Sequence, residues 1–180
     1  MTDHPSTGPL DDPLDDRLRR RVLWSLPTGL YVVGSRDGDR RNLMTANLVV
    51  QVATEPKLVA VAVDAQAVTA GLVAAGGAFA VSVLGRDDRA TVRRFVKPVA
   101  DVDVDARGGA VTMAGEAVTE AVTGAPVLGR AVAWLDCEVR HRLALGSHDL
   151  FVGEVVAVGG PEGDVPPVLR MEDTRMNYGG

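Results

Sequence analysis

Two runs near the C-terminal end decide how this chain folds: WLDCEV at residues 134–139 and GSHDLFVGEV at residues 146–155. In the first, Leu135, Cys137 and Val139 alternate with polar neighbours, the two-residue period of a half-buried strand. The second is rich in β-formers and follows a glycine that suits a turn. Together they predict a long antiparallel hairpin over residues 132–145 and 149–158. Cys137 then reads as a small core hydrophobe. Glu154, among apolar neighbours, needs a partner, and Arg140 on the facing strand is the natural one. His148 falls at the hairpin mouth, where an imidazole can titrate near neutral pH. A plain surface-turn histidine is the competing reading.

Working outward, β-rich segments recur at residues 28–35, 43–53, 57–64 and 79–84, with Asp37-Gly38 marking a tight hairpin turn. Along residues 43–53, Met44, Ala46, Leu48, Val50 and Val52 share one face, and Thr45, Asn47, Val49 and Gln51 the other. Residues 57–64 are apolar throughout their middle, as in a strand covered on both faces. Helices are predicted from residue 15 or 16 to about 25, from Thr69 as cap to about 75 with Gly76-Gly77 as the stop, and over residues 87–96 before Pro98. Residues 99–125 carry only short, weak β signals and read as a loop-rich excursion. Many short strands with few helices, and no internal repeat, favour a closed or nearly closed antiparallel barrel with helices at its mouths.

The 180 residues fit one domain with a sizeable core. Residues 1–16, with three prolines and clustered aspartates, read as a disordered tail; residues 17–172 form the domain and 173–180 a C-terminal arm. A net charge of -5 disfavours nucleic acid and anionic lipid as partners. A single cysteine excludes an intrachain disulfide and a multi-thiolate metal site, and no metal-ligand spacing is present. With no secretory leader and no bilayer-length apolar run, the cytoplasm is the expected compartment. Neither a nucleophile elbow nor a dinucleotide-binding glycine pattern occurs.

The polar residues Thr45 and Asn47 must face water, a ligand or another chain if the opposite strand face is buried. Asp64 to Thr69 is a strand-to-helix turn whose free N–H groups suit an anion, although a plain N-cap explains Thr69 equally well. Arg93 and Lys97 share a helix face beside Phe95.

These motifs, in this order, resemble the flavin reductase-like family of FMN-binding split β-barrels. The resemblance covers residues 22–158 and rests on Met44-Thr45-Ala46-Asn47, on Phe95 at the end of its helix, and on Gly146-Ser147-His148 followed by Gly153-Glu154-Val155. It implies a mainly β, antiparallel split barrel with a few short flanking helices. It implies FMN as cofactor, NADH or NADPH as reductant, and hydride transfer to flavin N5. Met44, Thr45, Ala46 and Asn47 would line the ring, with Val63, Asp64, Gln66, Thr69, Phe95 and Lys97 completing the flavin site. His148 would stand by the ring where nicotinamide stacks. A homodimer is implied, as is a flavin-dependent monooxygenase partner that takes the reduced flavin. The turn departs from the family pattern: Asp64-Ala65-Gln66-Ala67-Val68 lacks the expected basic and hydroxyl residues, and Ser147 replaces an aspartate. The altered turn keeps two other readings in play, a deazaflavin-using oxidoreductase on a related barrel and a non-catalytic carrier or sensor of flavin or haem.

Overall fold

The computed structural model describes residues 13–174 and residue 176. Its main sheet has seven antiparallel strands. In chain order these are β1 (Tyr31–Asp37), β2 (Arg40–Ala46), β3 (Val49–Thr54), β4 (Lys57–Asp64), β5 (Ala78–Val83), β10 (Ala133–Ala144) and β11 (His148–Gly159). They pair in the order β2-β1-β5-β10-β11-β4-β3. The two outer strands, β2 and β3, are consecutive in sequence, so the chain steps from one edge of the sheet to the other at Asn47-Leu48, and the sheet curls into a split barrel.

Alternation fills the interior. Val33, Ala46, Val61, Val63, Phe79, Val81, Cys137 and Phe151 form one buried cluster. Phe79 reaches so far across that a Cβ on Gly153 would lie 2.6 Å from its ring. Helix α2 (Val68–Gly76) adds Ala70 and Val73 to this cluster and plugs one end of the barrel. Gly77 ends α2 in the left-handed conformation that only glycine adopts without strain. Its N-cap is Ala67 rather than Thr69, which lies two residues further in, fully buried, where its hydroxyl accepts a hydrogen bond from Asn42 Nδ2 at 2.9 Å.

The predicted single strand over residues 43–53 is broken. The two-residue step at Asn47-Leu48 shifts the alternation, so Met44 and Ala46 pack inward before it and Val49 after it. Leu48, Val50 and Val52 are exposed instead of buried. The β1–β2 loop is Gly38-Asp39, one residue later than expected, with Gly38 at φ 57°.

Residues 99–125 also differ from expectation. They supply most of a second antiparallel sheet, β6 (Val102–Val104), β7 (Ala110–Met113), β8 (Glu116–Glu120) and β9 (Pro126–Leu128). These strands are too short to display a period, and burial decides them: Ala110, Met113, Val118 and Leu128 pack on Leu30, Val32 and Leu43 from the outer face of the barrel. Arg41 ion-pairs with Glu120 and donates to the carbonyls of Gly108 and Asp39, pinning this sheet to the β1–β2 hairpin. The helix expected over residues 87–96 is only α3 (Arg89–Val92) followed by a 3-10 turn, Arg93–Phe95.

Helix α1 (Pro13–Leu23) begins inside the stretch read as a tail; residues 1–12 of that stretch lie outside the described ones. At the other end, residues 167–171 form a strap stitched to the barrel. Pro167 O accepts from Arg86 N–H, Leu169 N–H donates to Leu84 O, Leu169 O accepts from Leu30 N–H and Met171 N–H donates to Thr28 O.

Candidate active site

Four parts of the chain meet around a cavity of about 580 Å3. The segment after α1 contributes Trp24 and its neighbours, the step between β2 and β3 contributes Asn47 and Leu48, and His148 opens β11. The fourth side is formed by the end of the strap and the residues beyond it: Arg170, Met171, Glu172, Thr174 and Met176. The strap ends in a 3-10 turn, Met171–Asp173, closed by Arg170 N–H donating to Asp173 Oδ2 at 3.0 Å and braced by an Arg86–Asp173 ion pair at 3.5 Å.

The residues pointed to by the sequence divide into groups. Asn47 and His148 line the cavity. Ladder pairing stops at Ala46 and resumes at Val49, and the Asn47 side-chain amide has no partner among the described residues. The Ser147 hydroxyl lies 3.0 Å from His148 Nδ1, which orients the ring and leaves Nε2 without a partner among the described residues. Met44, Ala46 and Val63 pack in the barrel core, and the cavity wall includes none of them. Thr45 and Phe95 lie on the opposite side of β2. The Thr45 hydroxyl donates to Val92 O, and Phe95 is fully buried with Leu43 and Val92. Lys97 follows the 3-10 turn of α3 and is exposed, and the cavity wall does not include it.

Asp64 sits directly opposite His148 in the β4–β11 ladder, and the cavity wall does not include it. The turn beyond it is closed on itself. Ala65 N–H donates to Ser147 O at 3.0 Å, Gln66 N–H to Asp64 Oδ1 at 2.8 Å and Ala67 N–H to Asp64 O at 2.9 Å. Elsewhere, Arg140 Nε donates to Glu154 Oε2 at 2.8 Å, the pairing expected from the sequence, although Glu154 is half-exposed. Cys137 is fully buried; burial, then the charge of Asp136, pushes its thiol up to about 12. His141 is exposed on β10. His4 and Tyr178 lie outside the described residues.

Sequence reasoning missed Trp24, Leu48, Met171 and the Arg170–Glu172 pair. Trp24 carried a usable signal, a large aromatic after a helix in a chain with 4% aromatics. Met171 carried none, because only the return path of the strap brings it here.

The fold and cavity define a small split barrel with a mixed apolar and polar ligand site beside a histidine. The sequence profile of the flavin reductase like domain matches residues 23–179. The NADH-dependent FAD reductase of Streptomyces globisporus is 35% identical over 147 residues, covering 82% of this chain and 78% of that protein. The solved C-1027 NADH:FAD oxidoreductase SgcE6 of the same organism superposes with a TM-score of 0.68 at 31% identity, covering 83% of this chain and 85% of that one. The styrene monooxygenase flavin reductase SMOB of Pseudomonas putida S12 superposes with a TM-score of 0.69 at 27% identity, covering 87% and 93%. This chain belongs to the flavin reductase-like family.

Proposed function

We propose that the protein is an NAD(P)H-dependent flavin reductase that binds flavin in the cavity between Trp24, Asn47, His148 and Met171. The juxtaposition of His148 and the unpartnered Asn47 amide carries this reading, within a chain whose family is that of flavin reductases. The cavity volume of about 580 Å3 falls in the range of small-molecule sites, roughly 300–1,000 Å3. Trp24 and Met171 offer apolar surface to a flat ring, and Asn47 can both donate to and accept from a polar ring edge. A bound flavin supplies the hydride acceptor that no side chain provides. His148 positions the nicotinamide, its ring held by Ser147. Ala46, Val63 and Met44 pack in the barrel core, and Thr45 and Phe95 hold β2 against α3.

FMN, expected from the sequence, and FAD, named in the relatives, share the ring this cavity takes. NADH is the preferred reductant by analogy with the S. globisporus enzyme. The reduced flavin passes to an oxygenase, as the name of the styrene monooxygenase reductase indicates for that protein. The apolar β3 face supports a homodimer, and dependence on the NAD(P)H pool supports the cytoplasm as the compartment. The test is anaerobic mixing of the protein with flavin and each nicotinamide. Bleaching of the oxidised flavin faster than in buffer is expected, with NADH ahead of NADPH. Flavin binding without bleaching would make the protein a carrier instead.

A further inference from the structure

We infer that Asp173 is a positioning residue of this site: clamped by Arg86 and Arg89, it holds the strap wall of the cavity against the ligand and so sets how fast the flavin leaves. The inference rests on the flavin reductase reading and extends it to the control of ligand release. Backbone hydrogen bonds fix the strap to the barrel only as far as Met171, whose N–H donates to Thr28 O at 3.1 Å. Glu172, Thr174 and Met176 lie beyond that bond and still line the cavity. Their region is folded on itself: Thr174 donates through its N–H and its hydroxyl to Met171 O, and Met176 N–H donates to Thr174 Oγ1. Met171 and Met176 rest on the cluster around Leu30 and Leu84, but methionine side chains adapt to small shifts and fix no register. Among the described residues, the polar links from this end of the chain to the rest of the protein converge on Asp173.

Arg86 Nε lies 3.5 Å from Asp173 Oδ2, the oxygen that also accepts Arg170 N–H at 3.0 Å, and Arg89 Nη1 donates to Asp173 O at 3.5 Å. Arg86 holds the strap a second time, through its own N–H to Pro167 O at 2.9 Å. One short stretch, residues 86–89, therefore grips the strap at both ends. The Arg86 side chain is 50% exposed and that of Asp173 20%, so their pairing adds little to the stability of the whole fold. Its effect falls on the local opening of one segment, which takes far less free energy than unfolding the barrel. Because that segment is a wall of the cavity, each opening exposes the ligand.

The test compares the parent protein with Arg86→Ala and with Asp173→Asn, which keeps an oxygen for Arg170 N–H and removes the charge that attracts Arg86. FMN release, followed by stopped-flow fluorescence on dilution, should quicken about three- to fivefold in each variant. The double variant should release FMN no faster than either single one, because both changes remove the same link. With no flavin present, trypsin should cut after Arg170 faster in both variants, read by mass spectrometry, while the urea midpoint stays that of the parent protein. An unchanged release rate or an unchanged cleavage rate in Asp173→Asn overturns the inference. So do multiplying effects in the double variant, or a urea midpoint that falls in step with the release rate. Failure of FMN to bind the parent protein would instead overturn the flavin reductase reading, on which the cleavage measurement does not depend.

Discussion

His148 and Cys137 lie on the same hairpin and illustrate opposite fates of a reactive side chain. His148 is half-exposed at the cavity, with one ring nitrogen held by Ser147. His148→Ala should lower the rate of anaerobic flavin reduction roughly ten- to a hundredfold, the cost of a reactant misplaced by an ångström or so. Stopped-flow absorbance would measure this, and an unchanged rate would remove His148 from the mechanism. Cys137 is sealed in the barrel and its thiol stays neutral up to about 12, against an ordinary 9.0. The unfolded chain ionises first, so the stability tied to this thiol is whole below 9.0 and is lost as pH rises toward 12. Urea midpoints should therefore fall more steeply between about pH 8 and pH 10.5 in the parent protein than in Cys137→Ala. Both residues were legible in the sequence because both sit on strands with a clean two-residue period. The partners of His148 across the cavity were not legible, since the strap reaches them through backbone hydrogen bonds to Thr28, Leu30 and Leu84.

Among the elements, the least legible was the small second sheet. Its strands have three to five residues, shorter than the window in which alternation can be recognised. Packing and ion pairs from Arg36, Arg41, Arg94 and Arg130 to Glu120 and Glu116 supply what periodicity does not. The Arg41 side chain is 2% exposed and Glu120 is 17% exposed, so removing one partner strands a nearly buried guanidinium. Glu120→Ala should destabilise the fold by about 3 kcal/mol, read as a lower urea midpoint with an unchanged slope. Replacing Arg41 by Met and Glu120 by Leu together should recover part of that loss, because a buried pair is often matched by apolar packing. The hairpin β10–β11 and strand β4 were the most legible, because long runs of β-forming residues announce themselves, although two register shifts along β10 were not foreseen. The misreading of residues 43–53 has a physical cause: a strand that changes sheet edge changes phase, and nothing in a list of valines records the bend.

Across the whole molecule, Leu48, Val50 and Val52 leave an apolar face on the outer strand β3, and Leu18 and Val22 expose another on α1. Leu48 also lines the cavity, so the β3 face is continuous with the ligand site. The proposed homodimer would cover β3, since monomers keep exposed apolar patches small. Val50→Lys with Val52→Lys should shift sedimentation to the monomer at micromolar protein and weaken flavin binding by about tenfold, because Leu48 then faces water. A monomeric parent protein would sink this prediction. The barrel architecture could be inferred before any coordinates, because strand count and scarce helices limit the alternatives. The closure of the site could not, because it depends on segments far apart in the chain.

The cavity draws its walls from residues 23–28 and, far along the chain, from Arg170, Met171, Glu172, Thr174 and Met176. A ribosome must therefore release every residue between those two segments before the pocket exists. A shortened chain ending just before the strap would keep most of its sheet and have no place to bind.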